Sequence, residues 1–385
     1  MISDKLKGVS PSLTLGIAAK AKKMRKEGAH VINLSAGEPD FPTPENVKKA
    51  AIKALDDDFT YYTPTSGIPE LKEAIAEKLG SFNNVNYEPE QISISCGGKH
   101  SLFNIMQAIL NPGDEVLLPV PYWVSYPEQI KLADAEPVFV PTDSKYKIRA
   151  EFLEEKITER TKLIILNSPS NPAGTICDES ELNKISQIVL DNNLFIISDE
   201  VYEVFIYDNN KHVSIASLNQ EIYTKTIISN AFSKTYSMTG WRVGYTAGPS
   251  ELINAINRFQ GHVTSNPTSI AQKAALEALL GSQDCVKKMV DAFDKRRKYM
   301  VERLNGIVGL ESPLPEGAFY AFPKIKNLDI HSMEFAERLL EEAKVALVPG
   351  IAFGLDESLR LSYAVSQKDI EEGLNRIEDF CDKLK

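Results

Sequence analysis

Apolar positions recur along the chain at two spacings, one helical and one extended, and their succession predicts the architecture. Residues 12–28, SLTLGIAAKAKKMRKEG, read as an amphipathic helix that starts at Ser and Thr and stops at glycine. A short strand over Val31–Leu34 opens into AGEPDFPTPE, a loop ordered by glycine and proline, and a helix follows from Pro44 to about Leu55. Another starts at Pro69. From about residue 90 strands and helices alternate. Strands are predicted at Gln91–Cys96, Asp114–Leu118, Val138–Val140, Lys162–Leu166, Phe195–Ser198 and Thr226–Ser229. Helices are predicted at His100–Leu110, Tyr122–Lys131, Arg149–Lys156 and residues 180–193. That alternation implies right-handed βαβ units around a largely parallel sheet, with ligands beyond the carboxyl ends of its strands. After about residue 280 long charged helices flank short strands at Ala318–Phe322 and Ser358–Ser362, the pattern of a second, α+β domain.

With 385 residues, 43% apolar and 25% charged, the chain can bury a large core and is expected to form two domains. Its net charge of −10 and pI of about 5.2 leave no basic field for nucleic acid or an anionic membrane. The four cysteines are far apart and form no metal-binding spacing, so free thiols in a reducing compartment are expected and no metal is assigned. No apolar run reaches 18 residues, and the charged start lacks the apolar core of a secretory signal. The expectation is a cytoplasmic protein.

Candidate chemistry centres on NAFSKTYSMTGWRVGYTAG, residues 230–248. A strand ending near Lys234, followed eight residues later by Arg242, could hold an aldehyde cofactor covalently and grip its phosphate. Gly97-Gly98-Lys99 follows a strand and opens a helix, where backbone N–H groups favour an anion. Asp199 ends the strand FIISD; taken alone it caps the next helix, but it could also pair with a protonated ring nitrogen. Tyr202 and Asn171, the latter in NSPSNPAG, could bond a ring hydroxyl from two sides. Trp123, in PYWVSY, is either a core aromatic or a ring beside a cofactor face. Arg360, in SLRLSYA, could clamp a carboxylate with its planar fork.

Together these residues resemble the class I aminotransferases of pyridoxal-phosphate fold type I, and most of all the bacterial branch of aspartate aminotransferases. The resemblance spans nine segments in order: AGEPDF, YTPTSGIPELKEAI, GGKHSLFN, PYWVSYPE, NSPSNPAG, SDEVYE, SKTYSMTGWRVGY, EGAFYAFP and RLSYA. It implies an α/β chain with a large domain over residues 36–280, whose mostly parallel, mixed sheet lies between helices, and a small α+β domain over 281–385. The arm and helix over 1–35 would belong with the small domain. Lys234 would bond pyridoxal 5′-phosphate and Asp199 would pair its ring nitrogen. Asn171 and Tyr202 would flank the ring hydroxyl, with Trp123 against the ring. Gly98, Lys99, Ser233 and Arg242 would surround the phosphate. Arg360 and the Gly37 backbone would hold the substrate α-carboxylate, beside Trp123 and Asn171. Tyr62 would reach a phosphate in the neighbouring subunit of a homodimer.

The chain departs from the family pattern in three places. Ala231 stands where many relatives carry a phosphate-binding hydroxyl, a role Ser233 could take over. Ser10 stands where some prephenate-accepting members carry a basic residue. The arginine that reads a side-chain carboxylate in another branch has no match, which leaves Lys99, with Ser12 and Thr14 near it, as the expected substitute. The implied activity is amino transfer between L-aspartate and 2-oxoglutarate by a ping-pong mechanism. The alternatives are aromatic, methionine or alanine donors, or a carbon–sulfur β-lyase on the same scaffold.

Overall fold

The computed structural model describes residues 2–10 and 13–384. Seven strands build the main sheet: β1 (Ile92–Ser95), β2 (Glu115–Pro119), β3 (Glu136–Val140), β4 (Thr161–Asn167), β5 (Phe195–Asp199), β6 (Thr226–Ala231) and β7 (Gly244–Ala247). They lie in the order β1-β7-β6-β5-β4-β2-β3. Only β7 runs antiparallel, and it does so to both neighbours, β1 and β6. The carboxyl ends of the other six strands therefore share one edge, where the connecting loops gather. Burial explains the sequence pattern: every residue of β1, β2, β6 and β7 is buried, as helices covering both faces require, whereas edge strand β3 is mostly exposed or half-buried. Ile94, Ile164, Ile196, Ile227 and Ile228 have no exposed surface. Each such side chain contributes about 2 kcal/mol by its burial.

The apolar spacing assigned no element to residues 244–280, yet the sheet needs β7 and two helices follow it, Ser250–Val263 and Ser269–Leu280. Strand β7 is only Gly-Tyr-Thr-Ala, too short and too small-sided to announce itself. Its glycine has a geometric reason: a Cβ on Gly244 would come within 2.6 Å of the Gly97 carbonyl carbon and the Gly98 nitrogen. The helix expected from Tyr122 begins instead at Tyr126, where Pro127 sits in a first turn that lacks a use for its N–H.

The C-terminal region packs around a three-stranded antiparallel sheet of Tyr320–Ala321, Leu359–Ser362 and Val348–Pro349, flanked by helices Asp284–Gly306 and Gln367–Asp382. The N-terminal segment joins it: Ile32–Asn33 pairs in parallel with Val345–Ala346, and Ala21 and Val31 pack against Leu340. Residues 2–10 lie elsewhere, with Lys5 bonded to Asp134 at 2.9 Å and the Ser10 N–H donating to Glu128 at 2.9 Å. Among the described residues, no helix is long and apolar enough to cross a membrane.

Candidate active site

At the edge where the parallel strands end lies a cavity of about 460 Å³. Gly37, Gly98, Lys99, Trp123, Asn171, Asp199, Tyr202, Ser233, Lys234, Arg242 and Arg360 all line it. Residues more than 300 positions apart in sequence thus converge on one pocket. Tyr62 does not: it sits on the surface, 90% exposed. Ser12 lies outside the described residues, as does the side chain of Thr14.

Strand β6 leads directly into the turn Phe232–Thr235, which carries Ser233 and Lys234 into the cavity. The Lys234 ammonium donates to the Gly37 carbonyl. Burial pushes its pKa down to about 8; Glu38 opposes this, while the guanidinium groups of Arg360 and Arg242 add to it. A lysine so perturbed is partly neutral near physiological pH, and hence nucleophilic. Asp199, at the end of β5, accepts from the Tyr126 hydroxyl at 2.6 Å and from the Val201 N–H at 3.3 Å. Burial pushes its carboxyl up to about 6, although those two donors pull the other way.

Gly97 takes a φ of +91°, and a Cβ there would overlap the Arg242 guanidinium. Helix Gly98–Ile109 starts at this turn, so its first N–H groups, Ser233 and Arg242 surround one corner of the cavity. Arg242 donates to the carbonyls of Thr239 at 2.8 Å and Cys96 at 3.3 Å, which fixes its head. Across the pocket, Arg360 is 4% exposed and stands 4.4 Å over the Tyr320 ring. It donates to Asn171 Oδ1 at 3.0 Å and to the Ser35 carbonyl at 2.9 Å, and its Nε has no partner. Lys99 lies 5.0 Å from the Trp123 ring centre. Among the described residues, none of Lys99, Lys234, Arg242 and Arg360 forms an ion pair. Arg360 is the buried member of this set, whereas Lys99 and Arg242 reach the cavity from its solvent-exposed side, so together they present one pocket with cationic groups that no carboxylate pairs.

Several participants had no clear mark in the sequence. Tyr126 supports Asp199, and Tyr320 shares a 2.9 Å hydrogen bond with Tyr202. Asn167 donates to the Asp199 carbonyl at 3.0 Å and accepts the Asn171 N–H at 2.8 Å. Glu38 accepts from Thr239 at 2.7 Å and faces Lys234. Only the aromatics of PYWVSYPE and EGAFYAFP hinted at Tyr126 and Tyr320. Among the described residues, Glu200, Glu203 and His212 also cluster, their side-chain N and O atoms within 4.8 Å of one another. Lys78 already pairs with Glu203 there.

The fold and this cavity define an enzyme whose pocket gathers cationic side chains around a lysine poised to act as a nucleophile. A family model described as aminotransferase class I and II matches residues 29–377. The chain is 46% identical to an aspartate aminotransferase from Bacillus sp. (strain YM-2), across 99% of each chain. It is 48% identical to a probable aspartate/prephenate aminotransferase from Aquifex aeolicus (strain VF5), across 100% of this chain and 99% of that one. The crystal structure of the aspartate aminotransferase from Rhizobium meliloti matches with a TM-score of 0.96 at 41% identity, covering 100% of both chains. The aspartate aminotransferase from Thermus thermophilus with maleate matches with a TM-score of 0.95 at 39% identity, covering 98% of this chain and 99% of that one. The chain belongs to the class I and II aminotransferases, and its fold is that of fold type I.

Proposed function

We propose that this chain uses pyridoxal 5′-phosphate to move an amino group between L-aspartate and 2-oxoglutarate, releasing the first 2-oxo acid before the second binds. The observation that carries the reading is the convergence of Lys99, Arg242 and Arg360, none of them ion-paired, on one cavity beside the nucleophilic Lys234. Arg242, the Gly98 end of its helix and Ser233 suit a phosphate; Ala231 offers no hydroxyl, so Ser233 supplies it. Trp123 and Asn171 suit a flat ring and its hydroxyl, which Tyr202 approaches as well. Bound there, the cofactor supplies an electron sink for charge that develops at the substrate Cα. Lys234 would hold the cofactor through its aldehyde carbon; freed when the substrate amine takes its place there, the Lys234 amine would act as general base on the Cα proton and give it back as the conjugate acid. Asp199 would keep a proton on the ring nitrogen. Arg360 and the Gly37 backbone orient the α-carboxylate, and Lys99 is left for the carboxylate at the other end of a dicarboxylic substrate. The Thermus thermophilus relative was solved with maleate, itself a dicarboxylate.

A panel of amino donors with 2-oxoglutarate as acceptor tests the substrate class; aspartate should lead it, and preference for an aromatic, methionine or alanine donor would overturn that choice. Ammonia and pyruvate released from cystathionine without an acceptor would instead mark a lyase. Lys99→Ala is expected to cut kcat/KM for aspartate by about 10-fold to 100-fold, the value of a charge-assisted hydrogen bond, while sparing phenylalanine. Equal losses on both donors would remove Lys99 from the specificity site.

The active unit is read as a homodimer. Tyr61 and Tyr62, 80% and 90% exposed, follow closely in sequence on the exposed Ile52 and Leu55, apolar surface suited to a second copy. Residues 36–280 and 281–385 are taken as the two domains, with the segment 13–34 moving with the second and closing it over substrate. A cytoplasmic setting agrees with the four free cysteines.

A further inference from the structure

On the far side of β6 from the substrate lies a second cleft, of about 910 Å³, and Asn230 and Ala231 line both. Its inner wall holds a cluster of charges that the reaction scheme leaves unused. Glu200 follows Asp199 directly, so the two carboxylates leave the strand end toward opposite faces. Glu200 is fully buried; it accepts from Ser198 at 2.8 Å, Ser214 at 2.6 Å and Asn83 at 3.0 Å. Glu203 pairs with Lys78 and accepts from Asn230 at 2.6 Å. His212 Nε2 lies 3.2 Å from Glu200 without the alignment of a hydrogen bond, and its Nδ1 has no partner, although its side chain is only 5% exposed. A buried imidazole left unbonded beside a carboxylate is costly unless it carries a proton and pairs by charge.

We propose that His212 is a positioning residue: by gaining or losing a proton it switches the Glu200–Glu203–Lys78 cluster behind Asp199 between neutral and singly negative. The inference rests on the reading of Asp199 as the partner of the cofactor's ring nitrogen. Besides Glu200, Glu203 and Lys78, the charge-capable groups facing the cluster are the phenols of Tyr87, Tyr236 and Tyr245, which burial keeps neutral. Burial favours a neutral His212, yet Glu200 and then Glu203 outweigh it and raise its pKa above the ordinary value. His212 lines the second cleft, so it exchanges its proton with water there and not through the substrate cavity. Glu200 is among the groups whose negative charge raises the Asp199 pKa, and His212 sits beside Glu200, so as pH rises and His212 discharges, the unbalanced charge makes the Asp199 site hold its own proton more firmly. The cluster thereby widens the pH range over which the reaction centre stays in one protonation state.

The test follows the visible band of the cofactor-loaded protein through a pH titration. His212→Gln should raise the midpoint by roughly half a pH unit, and adding Glu200→Gln to the same chain should restore it. An unmoved midpoint, or a shift that persists in the double variant, overturns the proposal. Because either buried change can cost stability, the His212 imidazole signal is also titrated by NMR in the otherwise native, cofactor-free chain. Asp199→Asn, which removes a negative charge, should lower the His212 midpoint by the same coupling read from the other side. No response there rejects the coupling. A wild-type chain that shows no cofactor band would defeat the cofactor reading, whereas the NMR arm would still decide this one.

Discussion

Replacing Lys234 by alanine is expected to abolish turnover, by about 10⁴-fold or more, and to remove the visible band of the bound cofactor. The loss is large because one amine serves as both the covalent anchor and the proton carrier, and no neighbour can take over. Arg242 and Arg360 are committed to hydrogen bonds with backbone carbonyls and Asn171, and Asp199 is held by Tyr126. The fold should not suffer. Lys234 contributes one side-chain hydrogen bond, to Gly37, and its charge sits near two guanidinium groups. Its pKa of about 8 lies below the ordinary lysine value, so the charged form is disfavoured on folding. That penalty is complete below pH 8 or so and disappears as pH rises through the ordinary lysine value near 10.4. The cofactor-free variant should therefore melt no lower than wild type at pH 7, with any gain shrinking toward pH 10. Retained turnover would remove Lys234 from the chemistry.

Asp199→Asn should lower kcat by about 10³-fold or more while leaving the melting temperature of the cofactor-free chain nearly unchanged. The side chains are isosteric, and the Tyr126 hydroxyl can still donate to an amide oxygen. What is lost is the negative charge that holds a proton on the ring nitrogen. Tyr126→Phe removes one hydrogen bond and keeps the charge, so it should cost only about tenfold. The ratio between these variants measures how much of the effect is charge and how much is orientation. Equal losses would make Asp199 a structural anchor and not an electrostatic one.

Much of the parallel sheet could be read from the chain because its central strands are buried on both faces and appear as β-branched runs, as in Thr226–Ser229. The lysine loop, the Gly97-Gly98 turn and Asp199 were legible for a related reason: each ends or follows such a strand. Strand β7 was not, since its central place depends on Gly244 fitting against Gly97, a contact between distant segments. Tyr126, Tyr320, Asn167 and Glu38 escaped notice because an isolated side chain carries no sign of the partner it meets after folding. Glu200, Glu203 and His212 escaped for the opposite reason: charged residues in a sequence ordinarily mean surface, and only the fold reveals that these are inside.

One chemical trapping experiment bears most directly on the whole account. The cofactor-loaded protein is reduced with borohydride, digested, and mapped for the fluorescent pyridoxyl group. The label should appear on a single peptide, at Lys234, and should vanish in Lys234→Ala. A label on any other lysine, or none from a protein that has bound the cofactor, would contradict the site and the mechanism built on it.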